Sequence, residues 1–469
     1  VHLGPAFLAS ILTVVLIGLA LTLPVEFVRA WLALFYALQL TGLIVLFGTA
    51  TRWDPRSFVK PSMVSIIYIG LSMVLGALSY SAAYVIVRRT FYLYKSWPYV
   101  GETFAIVASS LLAIFFVACF QPRTGAVEHR VQRVPGQTAY IALLFGLLLI
   151  TMPFAHPLLP PARTVAACGI LVLLFRSDHS WKWVLSLALM GLLAAISAGD
   201  KRHAIFLLAS LALAYACYPG GSRSARLSGP QVTALLVGVL GLTFWLVTAM
   251  SIMRGYAGYQ VDNIFTAITL VPEYLSHPYA IGMLSLNFEV GYVFFHLHNA
   301  VNSAIQYADV RMGGESFAKV FFFGIPESVF GFKPSSIIES YTRYYDQGFR
   351  QIGGSLGVTI IGEAAWNFGY FAAPILVVIY AVLDRIFFSL RALQHGGVYG
   401  AAMFLVYLQY TLLAARGGGL DMLLAYCVLA AIFGAVILLP MDLLSRSSRG
   451  PAPSRSAAPM SGRLGAERG

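Results

Sequence analysis

Ser355, Thr359, Glu363 and Asn367 recur every four residues, directly after a turn that holds Gly353, Gly354 and Gly357. On a helix that spacing places them along one slowly drifting face, with Glu363 about 9 Å below Gly357. Their neighbours Val358, Ile360, Ile361, Ala364 and Ala365 are apolar, so the face carries a carboxylate into a hydrophobic setting. An ionisable group there is costly, which makes Glu363 a functional candidate. As a general base its carboxylate would take the proton of an attacking hydroxyl. Interhelical hydrogen bonding is the competing account of the same stripe. In the turn, Gly353, Gly354 and Gly357 permit φ > 0, and successive N–H groups around Ser355 form a candidate anion site.

Basic residues supply a second set. Lys201-Arg202, Arg254 and Arg350 sit at the ends of apolar runs or beside the glycine turn. A guanidinium fork makes two parallel charged hydrogen bonds, which suits a diphosphate. Arg202 and Arg254 stand close to Gly199 and Gly255, small residues that allow near approach. Snorkelling to lipid phosphates explains any one of these side chains equally well. His296 and His298 are two residues apart, so on a helix they face different ways and do not form a metal pair. Either is a candidate base near neutral pH, with a hydrogen-bonded interfacial role as the alternative. Acidic residues such as Glu289, Glu327 and Asp346, among many aromatics, suit sugar hydroxyls and ring faces or, equally, an amphipathic lid. The four cysteines lie in or beside apolar runs without metal-ligand spacing, and no metal or cofactor is expected.

These residues need a membrane framework. Hydrophobic residues make up 59% of the 469 and charged residues 11%, with a mean hydropathy of +0.78. Soluble domains carry roughly 25% charge, so the composition indicates an all-α, polytopic membrane protein. About twelve apolar windows qualify as spans, near 4–23, 28–50, 62–85, 100–120, 138–154, 162–175, 181–197, 203–218, 231–251, 357–383, 398–415 and 421–440. The first lacks a basic leader and a small-residue cleavage site, so it reads as a retained helix. The chain therefore divides into nine spans over 1–251, a large loop over 252–356, three spans over 357–440 and a Ser/Arg/Pro-rich tail over 441–469, expected to be disordered.

The net charge of +12 reads as membrane orientation, and no nucleic-acid partner is expected. Seventeen Lys and Arg fall on the side shared by both termini, against eight in the short loops opposite. The termini are expected in the cytoplasm and the 252–356 loop outside. That loop holds nine Tyr, eleven Phe and eight acidic residues, which is expected to give it short helices of its own. Within it, 279–305 is semi-apolar and fits a helix at the interface or one re-entering the membrane.

The arrangement resembles the Wzy-type polymerases of O-antigen, capsule and exopolysaccharide repeat units. The resemblance rests on the span count, the one large loop before the last helices, and a loop ending that contains Gly324-Ile325-Pro326, Phe332-Lys333-Pro334, Gly353-Gly354-Ser355, Gly362-Glu363 and Asn367-Phe368-Gly369. It implies a lipid-dependent glycosyltransferase-like fold in a bacterial inner membrane. It also implies transfer of a growing glycan from undecaprenyl diphosphate to another lipid-linked repeat unit. Arg202 and Arg254, with Lys201 and Arg350, would hold the diphosphate, and Glu363 would take the acidic position at the loop end. A chain-length regulator and a flippase are implied partners, beside membrane lipids. An O-antigen ligase shares the donor and remains an alternative. A lipid-linked-glycan flippase is a further alternative, which would place charges in mid-span in several helices.

Overall fold

The computed structural model describes residues 3–82, 97–120, 136–176 except 152, 153 and 155–157, isolated positions from 186 to 263, and 264–447 except 277–289, 323–331, 352 and 394–396. Lys201, Arg202, Arg254, Glu289, Glu327 and nearly all of the three spans expected between 181 and 251 lie outside the described residues. Among the described residues every regular element is helical, and β pairing is limited to one bridge between Val358 and Gly418. Seven apolar helical stretches among the described residues are long enough to cross a membrane.

The chain opens with α1 (Leu3–Thr22), α2 (Val25–Thr51), α3 (Pro61–Ala82) and α4 (Val100–Phe120), followed by α5 (Gln137–Thr151) and α6 (Leu159–Arg176). The 252–356 segment contributes α7 (Ile264–Thr269), α8 (Val271–Ser276), α9 (Val290–Gln306), α10 (Glu315–Ala318), α11 (Ile337–Tyr345) and α12 (Gln347–Gln351). Then come α13 (Ile360–Phe368), α14 (Ala372–Leu393), α15 (Val398–Arg416), α16 (Gly419–Ile437) and α17 (Leu439–Ser447). Residues 441–447, assigned by sequence to a disordered tail, are therefore helical. Helices apolar on every side belong in a core, and α4 and α15 are buried along most of their length. The same holds for α9 despite its histidines and asparagines. By contrast α14 and α16 turn Val378, Val382, Ile432 and Val436 outward, an apolar surface suited to lipid.

The stretch read as one span over 357–383 is two helices. Gly369 adopts φ 58° and ψ −122°, a conformation open to glycine, and the chain reverses there. Two lengths fix the direction. α14 and α15 run antiparallel from a close approach of Gly400 to Leu393, with Tyr407 Oη donating to Leu383 O at 2.7 Å. α15 has 19 residues and α14 has 22, so the Gly417–Gly418 turn falls short of the level where α14 begins. Val358, bridged to Gly418, must lie there too, and α13 climbs from that point to Gly369. It climbs beside α9 in the same direction. The Gly357 N–H donates to Tyr292 Oη at 2.7 Å, Leu297 packs on Gly362, and Arg311 reaches from Ala304 O to Gly369. Glu363 thus lies beyond Gly357 on a short helix that runs beside α9 in the same direction.

Helix ends inside such a bundle need partners, because water cannot serve their free N–H groups. Asp384 on α14, fully buried, accepts from Ser62 N at 3.0 Å and Ser62 Oγ at 2.7 Å, closing the N-terminus of α3. Asp442 on α17 accepts from Val398 N at 2.7 Å and Tyr399 N at 2.9 Å, closing that of α15. Asp384→Ala leaves both Ser62 donors unsatisfied and is expected to destabilise the protein by about 1–3 kcal/mol. Thermal unfolding in detergent should show a lowered midpoint, and Ser62→Ala should cost less, since it removes only one donor.

Candidate functional site

The glycine turn and the run Arg416-Gly417-Gly418-Gly419 cross each other at the foot of α13. The crossing is tight: a Cβ on Gly357 would lie 2.5 Å from Gly417 O, and one on Gly417 would lie 2.9 Å from Gly357 C. Only paired glycines let two backbones approach so closely. Three side chains gather around this crossing. Arg416, 8% exposed at the end of α15, lies over the Tyr292 ring at 5.4 Å, and His296 packs edge-on against the same ring. Arg416 therefore places a guanidinium in a nearly dry, aromatic-lined position, where its field is strong. Neither Arg416 nor Tyr292 stands out in the sequence alone; the three consecutive glycines after Arg416 are the signal that points to them.

Glu363 lies just above the crossing and is fully buried. Its Oε1 accepts from Ser316 Oγ at 2.7 Å and its Oε2 from Leu420 N at 2.9 Å, so it caps the N-terminus of α16. Asn367, one turn on, donates to Ser316 Oγ at 2.8 Å and accepts from Gly314 N at 3.0 Å. Thr359 caps α13 itself by accepting from Gly362 N at 3.0 Å. Three members of the four-residue stripe are thus occupied in capping α13 and joining it to α10 and α16. Both carboxylate oxygens of Glu363 are engaged in these fastenings.

The glycine turn is likewise occupied. Gly353 N donates to Arg350 O at 3.0 Å and Gly354 N to Phe349 O at 2.8 Å, which closes the C-terminus of α12. Leu356 N donates to Thr342 Oγ1 at 2.8 Å. The N–H groups expected to cradle an anion are engaged within the chain, while Ser355 is exposed. Arg350 pairs with Glu339 Oε1 at 3.2 Å, and Arg343 approaches the same oxygen at 3.3 Å. Asp346 accepts from Phe349 N at 2.8 Å. These contacts stay within α11, α12 and the turn, apart from the fastenings of Glu363.

The two histidines face different ways, as their spacing requires. His296 Nδ1 lies 3.0 Å from Tyr341 Oη on α11, and His298 Nε2 lies 2.9 Å from Tyr36 Oη on α2. His298 sits among the Trp97, Phe294 and Tyr36 rings, with its Nδ1 unpartnered. Both imidazoles are enclosed by aromatic rings, and sequence offers either as a base. Asn299 and Asn302, beyond the sequence candidates, fasten the upper part of α9 by accepting from Trp97 Nε1 at 2.7 Å and Tyr99 N at 3.2 Å. No group of three metal-ligating side chains occurs among the described residues.

Compared with protein families, curated proteins and solved structures, the chain matches none.

Gly357→Ala drives a methyl into a backbone carbonyl that cannot move aside, and overpacking of this kind costs about 1–3 kcal/mol. A lowered unfolding midpoint is expected, whereas Gly146→Ala, whose Cβ would meet nothing within 4 Å, should leave it unchanged apart from helix propensity. Glu363→Ala should speed amide exchange in 313–318 and at Leu420, and Glu363→Gln, which keeps an acceptor for Leu420, should do so less.

Proposed function

We propose that this chain is a glycosyltransferase that polymerises undecaprenyl-diphosphate-linked repeat units at the outer face of a bacterial inner membrane. The observation that carries the reading is the buried guanidinium of Arg416 at the crossing of two glycine turns. In this reading the chain has twelve spans, both termini are cytoplasmic, and 252–356 is a periplasmic segment that sends α9 back into the bundle as a re-entrant helix. Irregular backbone within a membrane protein is tolerated where it is enclosed by protein or lines a cavity, as at the crossing of the two glycine turns.

The chemistry follows from where charge develops. As the glycosidic bond to the diphosphate breaks, the leaving group gains negative charge. A cation fixed in advance in a water-poor position stabilises that charge more than it stabilises the intact donor. Arg416 joins Arg202 and Arg254 as the residues assigned to the diphosphate. Glu363 acts through the segments it fastens and is a positioning residue.

The test is glycan profiling in cells whose only copy of the chain carries Arg416→Ala, Arg202→Ala or Arg254→Ala, with membrane insertion checked by immunoblot. Arg416→Ala is expected to slow transfer by about a hundred-fold or more, the typical loss of one preorganised charge-stabilising group, leaving single repeat units. Glu363→Gln should retain long chains. Full-length polymer from an inserted Arg416→Ala protein removes the assignment, and long chains left unattached to their acceptor in a deletion strain would identify a ligase.

A further inference from the structure

Along the flank of the bundle, α4 and α14 leave an open groove of about 550 Å³. Ser109, Ala113 and Phe116 line one wall, and Ala373, Val377 and Ala381 the other. The α14 stripe of 373, 377 and 381 continues at helical spacing to Asp384, Arg385 and Phe388, away from the glycine crossing. There it meets Lys60. This lysine is 5% exposed, yet its ammonium makes one hydrogen bond, a long one of 3.4 Å to Ala118 O on α4. Among the described residues that is its one hydrogen bond, and its other neighbours there are the faces of Phe47 at 5.8 Å and Phe388 at 5.6 Å. No carboxylate among the described residues lies within 4 Å of it. Asp384 is near, but both its oxygens accept from Ser62, and Arg391 adds a second positive charge to the surroundings. A buried cation with unfilled donors, near a second basic residue and at the foot of an apolar trough, has the layout of an amphiphile site.

We propose that this groove binds an anionic phospholipid, with one acyl chain between α4 and α14 and the phosphate at Lys60 and Arg391. Basic pockets between membrane helices take such headgroups, and each basic residue at the surface contributes on the order of a five-fold preference. The apolar walls demand a chain, so a soluble phosphate alone does not satisfy the site. The site is independent of the glycosyl-transfer reading, since it shares no residue with the crossing.

Native mass spectrometry of the full chain in a neutral detergent tests this, with phosphatidylglycerol and phosphatidylcholine of matched acyl chains as probes and glycerol phosphate as the soluble control. The wild type should favour phosphatidylglycerol by about thirty-fold, the effect of two basic side chains. Lys60→Met, which replaces the buried charge by an apolar chain of similar length, should cut this to about five-fold. A second variant, Ala381→Trp, fills the groove between its walls and should weaken binding of both lipids. It decides the matter alone if Lys60→Met does not fold. An unchanged preference in a folded Lys60→Met protein, undiminished lipid binding in Ala381→Trp, or equally tight binding of glycerol phosphate overturns the proposal.

Discussion

A buried carboxylate set against the N-terminus of a neighbouring helix is the contact on which this structure depends. Inside a bundle without water, the first turn of a helix has N–H groups that need acceptors, and an isolated carboxylate needs donors. Each is costly alone, and the pair removes both costs. Asp384 joins α14 to α3, Asp442 joins α17 to α15, and Glu363 joins α13 to α16. Each link connects elements far apart in sequence, so these acids fix tertiary arrangement as well as helix ends. Apolar packing among the helices has little directional preference, whereas a two-oxygen acceptor against two donors has a single register.

The glycine crossing relies on that register. Gly357 and Gly417 can touch only if α13 and α15 are held at matching heights, and Glu363 on Leu420 N supplies the constraint directly above them. With the backbones fixed, Arg416 is carried to the Tyr292 ring on α9. A rigid, poorly hydrated cation of this kind can act on a charge that appears only during reaction. The proposed chemistry therefore rests on structural acids that take no part in it themselves. The buried cations Arg416 and Lys60 also differ in kind: Arg416 lies over the Tyr292 ring beside folded backbone, and Lys60 between the Phe47 and Phe388 rings.

Much of the fold was legible because hydropathy reports burial in lipid or core directly. α1 to α4, α15 and α16 fall where runs of apolar residues of membrane length lie, since each is a single uninterrupted helix. The stripe from Thr359 to Asn367 does run along one helix, with Thr359 at its N-cap, because four-residue spacing survives on a helix of any length. The seven helical residues after 440 escaped notice because Asp442 gains its partners from α15, far upstream.

What sequence alone determined is the helical, membrane-type character and the presence of a costly carboxylate at Glu363, since both follow from residue type and local spacing. Only the tertiary structure decided what that carboxylate does, which way its helix runs, and that Arg416 is a buried cation. Reversal at Gly369 depends on one glycine's φ and ψ, and the occupancy of Glu363 depends on donors 47 and 57 residues away. Local pattern carries no record of partners at such distances, so the chemistry of each charged group is set by what the folded chain brings beside it.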